Sequence, residues 1–236
     1  MGQVKYIGRV QRRYTKPTTA EVAQRMKQVD LIEEIYRTMS PEEIPWNREE
    51  PPQALVELVS SGKVRPCKAV DFGCGTGNYA VYLAGKGFEV TGVDISPTAI
   101  KIARENTSEK GIRCEFIVAD LLGDLEEVQQ TFDFAYDWEL LHHVFPEHRQ
   151  KYVQNVHKKL NPGGRYLSVC FSAENPQFGG SGKYRETRIG TILYFSSEEE
   201  LRDLFDPYFD IEDLRTIQIG GKFAPHQAVY AFMRRK

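Results

Sequence analysis

No run of apolar residues approaches the ~20 that a membrane-crossing helix needs, so a transmembrane span is not expected. The opening stretch MGQVKYIGRVQRRY lacks the apolar centre of a secretion signal, and Tyr6 stands where a myristoylation motif needs Ser or Thr. A cytoplasmic protein is the expectation. Cysteine is scarce: Cys67, Cys74, Cys114 and Cys170 show no C-x-x-C spacing, which reads as small core residues in a reducing compartment. A relay of three thiols for a soft substrate such as arsenite has no support in that spacing. No His, Cys and Asp cluster has metal-ligand spacing, so no metal is implied. Charge of one sign is also missing. The formal net charge of −2 gives no reason to expect nucleic acid as a substrate. Repeats and low-complexity segments are absent.

What remains is an ordinary globular composition, 41% hydrophobic and 27% charged over 236 residues, enough for one large α/β unit with a sizeable core. Its centre is CKAVDFGCGTGNYAVYLAGKGFEVTGVD. Residues 68–72 read as a buried strand ending beside an acid, Asp71. Gly73, Gly75 and Gly77 follow at every second position, then a helical pattern, then a second strand ending in Asp94. Glycine permits a sharp turn and close approach of a ligand to the main chain, and the first N–H groups of the next helix can receive an anionic group. A carboxylate at Asp94 suits two ribose hydroxyls. A dinucleotide site spaces its glycines G-x-G-x-x-G for a pyrophosphate. Here the spacing is D-x-G-x-G-x-G, and an acid at Asp71 suits a ligand carrying an ammonium group.

Alternation continues along the chain. A helix is expected over residues 97–110, a third strand over 112–119 ending in Asp120, and a short helix or turn over 124–128. A fourth strand over 132–136 ends in Asp137. A helix over 146–160 closes on Asn161-Pro162-Gly163-Gly164, before a fifth strand over 165–171. Residues 174–194 break the pattern with Gly179, Gly180 and Gly182 among Tyr184, Arg185 and Arg188, and read as a lid-like insertion. A helix over 197–205 with a Ser cap precedes two strands, 209–219 and 227–233, joined as a hairpin. Upstream, residues 18–39 and 53–60 read as helices flanking PEEIPWNREEPP. Residues 1–65 are taken as a helical extension covering the cofactor, and residues 66–236 as the main domain.

The strings VDFGCGTG, GVDIS, VADLL, FDFAYDWELLHHV and LNPGGRYLSV, in this order, resemble the motifs of the class I S-adenosylmethionine (SAM)-dependent methyltransferases. PEEIPWN and YFSSEEELRDLF look more narrowly like the thiopurine, thiol and tellurite methyltransferase group. The resemblance implies a doubly wound, Rossmann-like α/β fold: seven strands, mainly parallel, the last antiparallel, with helices on both faces. It implies SAM as cofactor. Asp71, Gly73, Gly75 and Gly77 would hold the methionine part, Asp94 the ribose, Ile95 the adenine ring, and Asp120 and Leu121 the adenine amino group and ring. Trp46 would close over the cofactor or else plug the core. Asp137, Trp138, His142 and His143 would face the methyl group, with Tyr136 and Trp138 against the sulfonium. His143 or Asp137 would be the base if one is used. Tyr184 and Arg188 would touch the substrate, while Arg185 reads as a solvated loop charge. The expected reaction is in-line methyl transfer to a small molecule, preferably a thiol or other soft nucleophile. The alternatives are an oxygen, nitrogen or carbon acceptor, or a SAM-binding sensor without turnover.

Overall fold

A computed structural model describes residues 18–178 and 182–236. The first 17 residues of the expected extension, and Gly179 and Gly180 of the expected insertion, lie outside the described residues. The described residues begin with α1 (Thr19–Thr38), capped by Thr18 in a reciprocal capping box with Glu21, and α2 (Gln53–Ser60). There follow β1 (Lys68–Phe72), α3 (Asn78–Gly85), β2 (Glu89–Asp94), α4 (Pro97–Glu109), β3 (Glu115–Val118), β4 (Phe132–Trp138), the single 3-10 turn Leu141–His143, α5 (Pro146–Lys159) and β5 (Leu160–Phe171). The short strands β6 (Tyr184–Glu186) and β7 (Ile192–Tyr194) precede α6 (Glu198–Phe205), β8 (Phe209–Ile219) and β9 (His226–Arg235).

The main sheet has seven strands in the order β3-β2-β1-β4-β5-β9-β8. β1 pairs in parallel with β2 and with β4, β4 with β5, and β9 runs antiparallel to both β5 and β8. The chain therefore winds outward from β1 to β3, then returns to place β4 on the other side of β1. Between β1 and β4 lies the topological switch point, where the crossovers leave in opposite directions and the sheet edge opens into a crevice.

Alternating side chains divide the core in two. Ala69, Phe134, Tyr136 and Trp138 point to one face, under α2, α3 and α4. Val70, Phe72, Ala135 and Tyr166 point to the other, under α5 and α6. Residues 18–52 add a third, smaller cluster in which Ile35, Tyr36 and Ile44 pack on Ala99 of α4. Glu33 of α1 fixes that contact: its carboxylate accepts from the Ser96 hydroxyl at 2.6 Å and the Thr98 hydroxyl at 2.5 Å, at the N-terminus of α4.

Several expectations needed revision. β3 is four residues long, shorter than expected, while the helix or turn expected over residues 124–128 is a turn. β5 starts at Leu160, before the Asn-Pro-Gly-Gly segment expected to precede it, because Leu160 already pairs with Phe132 ahead of an irregular step. Val22 and Met26 of α1 are exposed, although they fall at helical spacing with Val29, Ile32 and Ile35. Arg185 is buried, against the expectation of a solvated charge, and donates to the carbonyls of Ala173, Asn175, Gln177 and Gly182. With its guanidinium over the Phe195 ring, 4.1 Å from the centroid, it ties residues 173–177 to residues 182–186.

Gly92 of β2 tests how tightly the glycine turn packs. A Cβ there would stand 2.6 Å from Phe116 and 2.8 Å from the Cys74 sulfur. Gly92→Ala is expected to destabilise the fold by about 1–3 kcal/mol. Gly85→Ala, at the end of α3 with nothing within 4 Å, should be neutral or stabilising. Urea midpoints for the two variants check the contrast.

Candidate functional site: a cofactor cleft at the switch point

β1 ends in Asp71 and Phe72, and the chain then turns through three glycines with left-handed backbone, Gly73 (φ +74°), Gly75 (φ +51°) and Gly77 (φ +79°). The turn is clamped from below: the N–H groups of Gly73 and Cys74 both donate to the Val93 carbonyl, at 2.7 and 3.1 Å. It is also clamped by Asp94, whose carboxylate accepts from Gly75 N–H and Ser96 N–H, each at 2.9 Å. Close approach matters most at Gly75, where a Cβ would lie 2.7 Å from the Tyr36 hydroxyl.

A cleft opens above this turn. Its floor comes from Asp71, Gly73, Gly75, Asp94, Ile95, Asp120 and Leu121. Trp138, Glu139, Leu140, His143 and Val144 of the β4 exit form one wall. The roof comes from Val29, Ile32 and Tyr36 of α1 and from Trp46, Asn47 and Arg48 of the connection after it. Trp46 donates its indole N–H to the Tyr36 hydroxyl at 2.8 Å and sets its ring edge-on to His143, 5.9 Å between centroids.

Burial shapes the charges. Asp71 is 3% exposed, its Oδ2 has no hydrogen-bond partner, and the Tyr136 hydroxyl faces it without completing a bond. Desolvation, helped by the nearby Asp94 and Asp137 charges, pushes its carboxyl up to about 8. Burial also raises Asp94, against the pull of the Ser96 and Gly75 N–H groups. His143 is pushed down to about 4 by desolvation, which leaves its imidazole neutral at physiological pH. Asp120 is engaged with Arg25 of α1 at 2.5 Å and with the Leu122 N–H at 2.9 Å.

Other expected site residues stand elsewhere. Asp137 does not line the cleft. It is fully buried on the opposite face of β4, where it accepts from the hydroxyls of Tyr152, Tyr166 and Ser168. That withdraws it as a base or a cofactor ligand. Strand alternation is the reason, since Tyr136 and Trp138 take the other face. Tyr136 lies in the core behind Asp71 and does not reach the cleft. His142 is buried and stacked on Phe171, 4.1 Å between centroids, with its Nδ1 facing the Phe171 N–H. Tyr184, half exposed, packs on Phe145 and Tyr194 outside the cleft, and Arg188 is exposed in the β6–β7 turn. Neither lines the cleft. The reading of the chain missed Tyr36, Arg48, Tyr79 and Glu139, all of which do line it. Arg48 and Glu139 each follow a singled-out tryptophan by one or two positions, which was the available signal.

The sequence matches the family described as "Methyltransferase domain" over residues 69–164. It is 30% identical over 192 residues to the 2-heptyl-1-hydroxyquinolin-4(1H)-one methyltransferase of Mycobacteroides abscessus, covering 78% of each chain. The protein is a class I SAM-dependent methyltransferase. The methyltransferase is also 28% identical, over 57% of its own length and 60% of the relative's, to a probable thiol methyltransferase of Arabidopsis thaliana. Among solved structures it resembles one from work on the conversion of a disulfide bond into a thioacetal group during echinomycin biosynthesis. There the TM-score is 0.75 at 29% identity, over 88% of this chain and 93% of that one. It shares its fold with a Burkholderia thailandensis N1-methyltransferase that carries S-adenosylhomocysteine, at TM-score 0.64 and 19% identity, over 93% and 91% of the two chains. SAM is the cofactor, and the cleft fits it. The orphaned Asp71 oxygen awaits a donor, and the glycine turn offers main chain that a Cβ would block.

Asp94→Ala is expected to weaken S-adenosylhomocysteine binding by roughly 2–4 kcal/mol, through loss of charge-assisted hydrogen bonds to the ribose. Calorimetry on the folded variant checks this, and unchanged affinity would contradict the ribose assignment.

Proposed function

We propose that this methyltransferase acts on a small, largely apolar molecule at an atom that ionises near neutral pH, a thiol being the favoured case. Asp71 and the Gly73–Gly77 turn hold the methionine part of the cofactor, Asp94 the ribose, and Ile95, Asp120 and Leu121 the adenine. Trp46 covers them. The bound cofactor supplies an activated methyl group on its sulfonium, so the chain's own residues need to align the acceptor, exclude water and, at most, accept a proton. The apolar wall of Leu140, Val144, Trp46 and Trp138 does the first two.

One observation carries the choice of acceptor: His143, an imidazole of the cleft wall, sits buried with the Trp46 ring edge-on to it, 5.9 Å between centroids, and that burial pushes it down to about 4. Base strength follows the pKa of the conjugate acid, and such a base gives little help to a hydroxyl of ordinary acidity. A thiol with a pKa of about 8.5 is already partly thiolate and needs little help. The likeness to a probable thiol methyltransferase and to the thioacetal-forming structure supports this reading. A second reading, an acidic hydroxyl on an aromatic ring, rests on the relative named for 2-heptyl-1-hydroxyquinolin-4(1H)-one.

With a confirmed thiol acceptor and saturating SAM, His143→Ala should lower kcat by less than about tenfold, below the ~10²–10⁴ range of general-base catalysis. The wild-type rate should follow the acceptor's own ionisation and show no limb near pH ~6.5, the reference value for histidine. A large loss of kcat with intact SAM affinity would contradict the base-free mechanism.

A further inference from the structure

Among the described residues, three buried side-chain atoms of the cleft lining have no hydrogen-bond partner: Asp71 Oδ2, Trp138 Nε1 and His148 Nε2. A buried polar atom left this way is rare in a folded protein and calls for an occupant. Two of the three have a role already. Asp71 is assigned to the cofactor's cation. Trp138 Nε1 faces the carboxyl of the next residue, Glu139, whose backbone is left-handed (φ +62°), and favours its charged form without completing a bond. His148, 8% exposed, is the one left over.

His148 stands in the first turn of α5, four positions beyond Val144 of the acceptor wall. Phe145 lines the cleft between them, and Tyr184 packs edge-on against it from outside, 5.6 Å between centroids. α1 supplies Arg25, Gln28 and Val29 to the same cleft, and its polar groups are already taken. Arg25 donates to Asp120 at 2.5 Å, and Gln28 Oε1 accepts from the Ile192 N–H at 2.8 Å. Desolvation, helped by Arg25, lowers His148 against the pull of Glu147, Glu21 and Asp120, so the ring is neutral at physiological pH. An anionic ligand group is disfavoured here by three carboxylates against one guanidinium, and a cation by the desolvation itself. A neutral hydroxyl suits the site in either tautomer of the ring, since it both donates and accepts.

We propose that His148 is a specificity residue for the methyl acceptor: its Nε2 receives a neutral hydroxyl at the end of the acceptor remote from the methylated atom, while Val144 and Phe145 hold the apolar body between. This rests on the placement of the acceptor along the wall of Leu140, Val144, Trp46 and Trp138. The acceptor class that follows is an apolar ring system bearing a hydroxyl opposite its reactive atom. The hydroxyl completes the hydrogen bonding of a nitrogen that the fold buries and leaves unpaired. His148 moves no proton in the reaction, so its effect falls on acceptor binding.

Pairs of arenethiols test this. The probes 4-sulfanylphenol and 6-hydroxynaphthalene-2-thiol are each compared with the parent thiol that lacks the hydroxyl, so that two reaches are sampled. Calorimetry on S-adenosylhomocysteine-saturated protein measures affinity, and turnover with SAM measures KM and kcat. The wild type should bind one hydroxylated probe about tenfold more tightly than its parent. His148→Phe should erase that preference, with the loss in KM rather than kcat. His148→Gln, which keeps a donor and an acceptor, should retain part of it. Retained S-adenosylhomocysteine affinity certifies that each variant is folded. Equal affinity within both pairs, or a preference that survives in His148→Phe, overturns the proposal. Weakened S-adenosylhomocysteine binding in a folded His148→Phe overturns it too, by placing His148 against the cofactor's adenine. The thiol reading fails separately. Hydroxyl-dependent binding that is lost in His148→Phe, without methyl transfer to sulfur, supports the role of His148 and removes the thiol as acceptor.

Discussion

A buried carboxylate with one oxygen left unpartnered, near the end of the central strand, is the constraint on which the site depends. Asp71 belongs to β1, the strand flanked in parallel by β2 and β4, and both core clusters close around that strand. Placing an acid there is unfavourable, since an uncompensated buried charge costs several kcal/mol or is neutralised by a proton. The fold holds it because packing on both sheet faces leaves the side chain open only towards the cleft. The glycine turn above it is fixed from two directions, by the Val93 carbonyl and by Asp94. The turn beside Asp71 is therefore fixed, and a ligand cation meets an acid that is already desolvated.

The roof follows from the same arrangement. Gly75 leaves room for the Tyr36 hydroxyl, Tyr36 accepts from Trp46, and Trp46 leans on His143. One contact chain thus runs from the turn, through α1 and the connection after it, to the acceptor wall. Glu33 at the start of α4 and Arg25 at Asp120 hold α1 in register with that chain. Acceptor chemistry inherits the dryness of this enclosure. Desolvation lowers His143 and raises Asp71, and the two shifts have one cause acting on opposite charge types.

Periodicity made most of the sheet legible. The D-x-G-x-G-x-G spacing located the turn, and the acids at strand ends located the edge that carries the cleft. Asp137 shows where that logic stopped. It also sits near the end of a strand, but alternation turns it to the α5 face, and counting by two from Tyr136 would have shown it. Arg185 looked like a loop charge because its acceptors are main-chain carbonyls, which a sequence does not display as partners. Arg48 and Glu139 come together only through the crossover that returns β4 beside β1, and glutamate carries no sign of a left-handed backbone. Residue type and spacing announce local geometry; proximity across 91 positions of chain does not announce itself.

The central proposal is that Asp71, raised by burial, holds a proton in the free protein near neutral pH and releases it to solvent when the cofactor's cation binds beside it. The sign follows from its raised value of about 8: a cationic ligand favours the ionised form, so affinity rises with pH until about 8 and then levels off. Titration calorimetry of S-adenosylhomocysteine at pH 7, in two buffers of different ionisation enthalpy, measures the protons released on binding. The account predicts net proton release in the wild type, reduced in Asp71→Asn. Binding without proton release, with an affinity flat between pH 6 and pH 8, would contradict it.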